Sequence, residues 1–326
     1  MMRAVVITEP GAPEVLRVET VPRPEPRPGE VLVRVATSGV NRADLLQRRG
    51  SYPAPEGFPQ DIPGLEFAGT VEGAASGVGR WKSGDAVMGI TGGGGYAEYL
   101  VAPADAVIPV PRGVSLADAG AIPEVFITAW DALFLQERLS AGEALLIHAV
   151  GSGVGTAAFQ LGRAFGATVV GTSRTPGKLE RATELGLEHA VQADERWPER
   201  VLELTHGNGV DVILDLVGGP YLAGNQRVLA RRGRHVVVGV TGGARAEVDL
   251  RALMGKRGSI RGTVLRARSL QEKAEIAAGF AQAVVPRFED GTLKPVVDRL
   301  FPAEQAAEAH RLVEANRTFG KVLIRW

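Results

Sequence analysis

The sequence predicts an α/β protein in which a doubly wound parallel sheet of about six strands is inserted into a mostly β domain. Three observations predict it. The 326 residues suffice for two domains at roughly 150 residues each. Residues 1–119 alternate apolar and polar side chains in short runs broken by Gly, Pro and Asp, the pattern of half-buried strands. Residues 120–264 instead repeat apolar run, loop and helical pattern, and residues 265–326 return to the first texture. The expected domains are therefore 1–119 with 265–326, and 120–264 between them.

In chain order, Glu30–Ala36, Phe67–Glu72, Ala86–Gly89 and Tyr96–Val101 read as strands of the first domain. Pro22, Pro24, Pro26 and Pro28 forbid a central strand and imply an extended connection. Ala119–Leu139 has a helical pattern. The second domain's strands are expected at Ala144–Ala149, Thr168–Thr172, Ala190–Gln192, Val210–Leu214, His235–Val240 and Ser259–Gly262. The clearest of them are continuous apolar runs, as a parallel sheet covered on both faces requires. Gly155–Phe165, Gly177–Leu185 and Pro198–Leu204 supply helical crossovers. In the tail, Ser269–Phe288 and Ala303–Ala315 are amphipathic helices and Gly320–Arg325 a closing strand.

Composition narrows the function. The formal net charge is zero, which removes the bulk electrostatic case for nucleic acid or membrane surfaces. No cysteine is present, so disulfides, thiolate nucleophiles and Cys-based zinc sites are excluded. The start, MMRAVVITEP, lacks the long apolar core of a signal peptide, and no run approaches a membrane span. A cytoplasmic protein is expected.

The chemistry begins at Val150-Gly151-Ser152-Gly153-Val154-Gly155, between a strand and a helix. Gly151 and Gly153 let the backbone approach a pyrophosphate, and Gly155 allows close packing of helix on strand. The loop's peptide N–H groups, including those of Ser152 and Val154, and the helix dipole favour phosphate. About 20 residues on, where a carboxylate would hold the ribose hydroxyl of NAD, the chain reads Thr172-Ser173-Arg174-Thr175, with Lys178 following. Ser173 can donate a hydrogen bond to a 2′-phosphate, and Arg174 and Lys178 can neutralise it. NADPH is the expected cofactor. Gly218 and Gly239 fall at strand carboxyl ends, where ligands of such sheets sit.

With Gly39–Asp44 (GVNRAD), Gly64–Gly69 (GLEFAG), the loop at 149–155 and Gly320-Lys-Val, the chain resembles the medium-chain dehydrogenase/reductase superfamily. Within it, the resemblance is to the zeta-crystallin-like quinone oxidoreductases and spans essentially the whole chain. It implies a GroES-like catalytic domain, a Rossmann domain binding NADPH, and a homodimer joined through the Rossmann domains. It also implies a substrate or nicotinamide-ribose contact for Asn41, a substrate contact for Tyr52 and a nicotinamide-side contact for Thr128. Phe319 and Lys321 belong to the cofactor contacts in the same pattern. Gln192 stands where relatives carry a tyrosine against the 2′-phosphate, and can still donate a hydrogen bond. Asp44 and Glu66 are expected to be structural.

In the zinc-dependent alcohol dehydrogenases of that superfamily, a Cys, the His of a Gly-His-Glu motif and a second Cys hold the metal. The matching positions here are Asn41, Leu65 and Glu124, and no metal site is expected. Without a Lewis acid, the substrate must accept hydride unaided and needs only hydrogen-bond donors for its developing oxyanion. Quinones fit this best. An enoyl or 2-alkenal reductase on the same fold is the alternative enzyme, and a cofactor-binding structural protein of the crystallin type the alternative of another class.

Overall fold

A computed structural model describes residues 1–326, which divide into two compact units: Met1–Ile127 with Leu265–Trp326, and Thr128–Val264. Residues 120–127, expected in the nucleotide domain, lie in the first unit. There the Glu124 N–H donates to Glu66 Oε2 at 2.8 Å and Phe126 meets Phe288 edge-on at 4.8 Å.

In the first unit the strand Glu30–Val40 is the organiser. Its eleven residues pair antiparallel with three neighbours, Glu66–Ala74, Tyr99–Pro103 and Lys321–Arg325. The sheet continues through Ala86–Ile90 to Val107–Pro109 on one side and to Val297–Pro302 on the other. The Tyr96–Val101 run is a strand only over Tyr99–Pro103. Upstream of it, Ala97 makes an isolated bridge to Ala4 and Tyr96 is wholly buried. A separate hairpin pairs Met2–Ile7 with Leu16–Val21. Val5, Val40, Leu45, Tyr96, Ala309 and Val322 share one core, placing the first strand and the C-terminal helix Ala306–Glu314 around the same centre.

The long helix expected over Ser269–Phe288 is two helices, Leu270–Ala283 and Val285–Glu289. Pro286 has no N–H to continue the first helix, and its ring crowds the preceding turn. Ser269 starts the first helix with a reciprocal cap: its hydroxyl accepts the Glu272 N–H, and Glu272 accepts the Ser269 N–H. Lys273, Ile276, Ala277 and Phe280, at helical spacing, form its buried face against Ala104–Pro109.

The second unit is a six-stranded, wholly parallel sheet. Its strand order is His189–Gln192, Thr168–Ser173, Ala144–Ile147, Val210–Asp215, Leu229–Val237 and Ser259–Gly262. In sequence numbering this is 3-2-1-4-5-6, the Rossmann order, with the direction of winding reversing between Ala144–Ile147 and Val210–Asp215. The fifth strand begins six residues before the expected His235, because Leu229 pairs with Val210 ahead of a register shift. Helix Gly153–Ala164 lies close on the sheet at Gly162, where a Cβ would stand 2.9 Å from both Leu145 and Val169. No helix is long and apolar enough to cross a membrane.

Phe280 is fully buried on the inner face of its helix. Replacing it with alanine is expected to cost about 3–5 kcal/mol, read as a lowered midpoint in denaturant unfolding.

Candidate functional site

At the carboxyl ends of the parallel strands, the loop after Ala144–Ile147 turns directly into helix Gly153–Ala164. Ala149 holds a left-handed conformation (φ 53°), and Ser152 caps the helix by accepting the Gly155 N–H at 3.0 Å. A Cβ on Gly155 would lie 2.5 Å from the Ala149 carbonyl oxygen, so only glycine lets the helix start this close to the loop. Gly218, also left-handed, bridges to Gly243, and the Gly239 N–H donates to the Asp215 carbonyl. The structure thus brings the 151–155 loop, Gly218 and Gly239 to one edge of one sheet.

Beneath that edge runs a buried polar network that the sequence did not reveal. Asp215 Oδ1 accepts the N–H groups of Val217 and Gly218, each at 2.8 Å. Its Oδ2 accepts from Asn225 Nδ2 and meets His235 Nε2, both at 3.0 Å. Asn225 Oδ1 then faces His148 Nε2 at 2.6 Å, and His148 Nδ1 faces the Thr172 hydroxyl at 2.8 Å. An amide oxygen only accepts, so His148 carries its proton on Nε2 and the Thr172 hydroxyl donates to Nδ1. Burial lowers His148 to about 4, against the pull of Asp215, so the ring is neutral near pH 7. Four strand ends are tied together directly under the glycine loop. The only sequence signal was a histidine just before that loop.

At the expected phosphate corner, polar side chains bond to the neighbouring backbone. Ser173 is buried, and its hydroxyl closes a turn with Thr175, accepting its N–H at 3.1 Å and donating to its carbonyl at 3.3 Å. The Gln192 amide, expected to face the cofactor, donates instead to the Arg174 carbonyl at 2.7 Å. Arg174 is exposed and Lys178 lies one helical turn on, in Pro176–Glu184. Thr128, half-buried, opens this unit within helix Pro123–Trp130.

In the first unit, Asn41 ends the strand Glu30–Val40 and caps the short helix Arg42–Arg48. Its amide is held inside the unit: Nδ2 donates to Glu66 Oε1 at 2.8 Å and more weakly to the Gly39 carbonyl, and Oδ1 accepts from Lys321 Nζ at 2.6 Å. Lys321 is 3% exposed and its three N–H groups go to Glu66 Oε1 at 2.6 Å, Asn41 Oδ1 and the Val40 carbonyl. Lys321, expected among the cofactor contacts, thus spends its ammonium hydrogens within the unit. Phe319, also expected among the cofactor contacts, is buried with its N–H on Asp298 Oδ1. Asn41 likewise holds the helix start rather than offering free donors.

Behind Asn41 lies a directed chain. Arg48 Nη1, always a donor, faces His310 Nδ1, so the His310 proton sits on Nε2 and points at the Tyr96 hydroxyl. Tyr96 in turn donates to Asp44 Oδ2 at 3.1 Å, which also accepts the Asn41 N–H at 2.8 Å. Asp44 Oδ1 takes the Gly64 N–H. Burial lowers His310 to about 3, with Arg48 adding, and raises Asp44 to about 6 against these donors and Lys321. Glu124, stripped of water and beside Glu66, rises to about 8. Tyr52 lies half-buried with its ring under Arg266, 4.8 Å from the guanidinium carbon.

Residues 27–112 match the alcohol dehydrogenase GroES-like domain and residues 153–282 the zinc-binding dehydrogenase family. The quinone oxidoreductase of Rattus norvegicus is 32% identical over 328 aligned positions, covering 99% of this chain and 98% of the rat protein. The chain belongs to the quinone oxidoreductase family of medium-chain dehydrogenases/reductases. It is an oxidoreductase by that membership, and its parallel sheet is a nicotinamide-cofactor fold. A solved NAD-dependent alcohol dehydrogenase superposes with a TM-score of 0.89 at 33% identity over all of both chains. Mycobacterial Rv1454c, solved with NADPH, gives 0.86 at 30% identity, again covering all of both.

The fold family implies two groups, a zinc ion and a nicotinamide dinucleotide. Zinc does not fit: at the family's ligand positions Leu65 is apolar and buried, Asn41 is tied to Lys321, and no cluster of three His, Cys, Asp or Glu side chains can hold a metal. A nicotinamide dinucleotide does fit, because the glycine-only contact at Gly155 and the capped helix behind it form a phosphate cradle at the switch point of the sheet.

The raised Glu124 sets a pH dependence. An acid whose folded pKa lies above its unfolded value destabilises the fold as pH rises between the two. From pH 6.5 to 8, Glu124 is the strongly shifted carboxyl still titrating in the folded chain, Asp44 being mostly ionised, and loss of protons from His148 and His310 in the unfolded chain offsets a smaller part of its effect. Unfolding free energy is expected to fall by on the order of 1–2 kcal/mol over that window, and Glu124→Gln to flatten the fall in urea titrations at the two pH values.

Proposed function

We propose that this chain is an NADPH-dependent quinone oxidoreductase that works without a metal. The observation that carries the reading is the buried Leu65 and the engaged Asn41 where zinc-dependent relatives hold their metal. A quinone suits such a site because its carbonyls accept hydride without a Lewis acid. Bound NADPH supplies that hydride. The chain's own residues bind and orient: peptide N–H groups at Gly151–Gly155 and the helix behind them take the pyrophosphate, with Gly218 and Gly239 alongside. Arg174 and Lys178 take the 2′-phosphate, their backbone turn set by Ser173 and Gln192. Thr128 lines the nicotinamide side. Tyr52 donates its phenolic hydrogen to the acceptor's developing oxyanion. Asn41 acts through position, fixing the start of the helix that precedes Tyr52.

The test is turnover of NADPH and NADH with a naphthoquinone and with a 2-alkenal. Naphthoquinone with NADPH should give the highest kcat/KM, by about tenfold over either exchange. The Arg174→Ala, Lys178→Ala double variant should raise KM for NADPH about tenfold or more and leave KM for NADH nearly unchanged. A preference for NADH would overturn the cofactor assignment, a preference for the alkenal the acceptor, and no turnover with any acceptor the enzyme itself.

We also propose a homodimer through the second unit. The strand Ser259–Gly262 is a sheet edge, and Leu250, Met254 and Val264 beside it in sequence are 67%, 76% and 53% exposed. An open edge flanked by exposed apolar side chains favours pairing with a second copy. Sedimentation should show a dimer, and Met254→Glu with Val264→Glu should shift it to monomer.

A further inference from the structure

In the first unit, two cations are buried side by side with no carboxylate against them. Arg266 is 7% exposed and Lys273 6%. Every acceptor they have is neutral. Arg266 Nε and Nη2 donate to the Gly92 carbonyl at 2.9 and 2.7 Å, Nη2 also to Gln47 Oε1 at 2.6 Å, and Nη1 to the Tyr52 carbonyl at 3.2 Å. Lys273 Nζ donates to the Arg266 carbonyl at 2.8 Å. No carboxylate oxygen lies within 4.0 Å of either. Buried charges are ordinarily paired, because the desolvation of an uncompensated one is strongly unfavourable. The carboxyls that act on Arg266 from farther away, Asp44 and Glu124, are weakened as counter-charges by their own burial.

The surroundings are aromatic. The guanidinium stacks on Tyr52, and the Lys273 ammonium stands 5.9 Å from the centre of the Phe58 ring. Phe58 packs on the glycine run so closely that a Cβ on Gly92 would meet its ring at 2.5 Å. Of five guanidinium hydrogens four are engaged, and of three ammonium hydrogens one is. Two rings, two cations and three unassigned donors suit a planar aromatic ring that carries an acidic group.

We infer that Arg266 and Lys273 seat an acidic substituent of the acceptor, a carboxylate, sulfonate or ionised hydroxyl on the quinone ring, so that anionic quinones are the preferred substrates. The inference rests on the quinone reading and adds the substrate class. Tyr52 links the two, since its hydroxyl is assigned to the acceptor and its ring and carbonyl are both held by Arg266.

The experiment compares a naphthoquinone sulfonate with the unsubstituted naphthoquinone on the unmodified protein at low ionic strength. The sulfonate should have a kcat/KM about tenfold higher, the factor expected of one charge-assisted hydrogen bond. Added salt should shrink the ratio. Lys273→Met should bring the ratio toward one, and Arg266→Lys should retain more of it than Arg266→Met. A ratio of one or less in the unmodified protein overturns the inference and leaves the quinone reading standing. Naphthalene sulfonate, which accepts no hydride, gives an arm independent of turnover. It should raise the Tm of the unmodified protein and not of Lys273→Met, even if no quinone is reduced. The same Tm response in both proteins, or none, overturns the seat, and a variant that fails to fold leaves the wild-type ratio as the deciding measurement.

Discussion

The first unit is organised around one buried ammonium. Lys321 sits in the last strand, yet its three donors reach Glu66, Asn41 and the end of the strand Glu30–Val40. Glu66 passes the connection on, accepting the Asn41 amide with one oxygen and the Glu124 N–H with the other. Four chain segments distant in sequence are fixed by one ion pair and its hydrogen bonds. Such a pair is stabilising only when each lone pair and hydrogen is satisfied, because the desolvation of both charges must be offset. Here that condition is met on the ammonium side, and the Asn41 amide is bonded at both its nitrogen and its oxygen. Gly39 belongs to the same device: a Cβ there would stand 2.1 Å from Glu66 Oε1.

The second unit uses one carboxylate with imidazole, amide and hydroxyl partners for the corresponding task. Thr172, His148, Asn225, His235 and Asp215 join the ends of four parallel strands without a lysine or arginine. Asp215 is the one acid in the set. Burial works to raise it, and the His235 hydrogen bond, the nearby His148 and the Gly218 and Val217 N–H groups bring it below its ordinary value. Positive charge is kept to the rim, at Arg174 and Lys178.

Local features were legible in the sequence. The glycine loop, the helix behind it and the apolar strands depend on backbone conformation and periodicity, which neighbouring residues specify. The side-chain roles were less legible. Ser173 and Gln192 have the right chemistry for a phosphate and stand at the right strand ends. Their hydroxyl and amide also bond the Thr175 and Arg174 backbones, which lie beside them in the fold. Arg266 and Lys273 gave no sequence signal at all, since a basic residue near a helix start is ordinarily solvated. Their significance came from burial and from what does not lie beside them.

By itself, the sequence determined the two-part α/β organisation, the parallel sheet, the phosphate-binding loop and the loss of zinc ligands at Asn41 and Leu65. Each rests on residue type or short-range spacing. Only the tertiary structure decided which polar side chains are available to a ligand. Hydrogen bonds between residues hundreds of positions apart, such as Lys321 with Asn41 and Arg48 with His310, consume donors that look free along the chain. A donor's availability depends on its three-dimensional neighbours, and no local pattern encodes them.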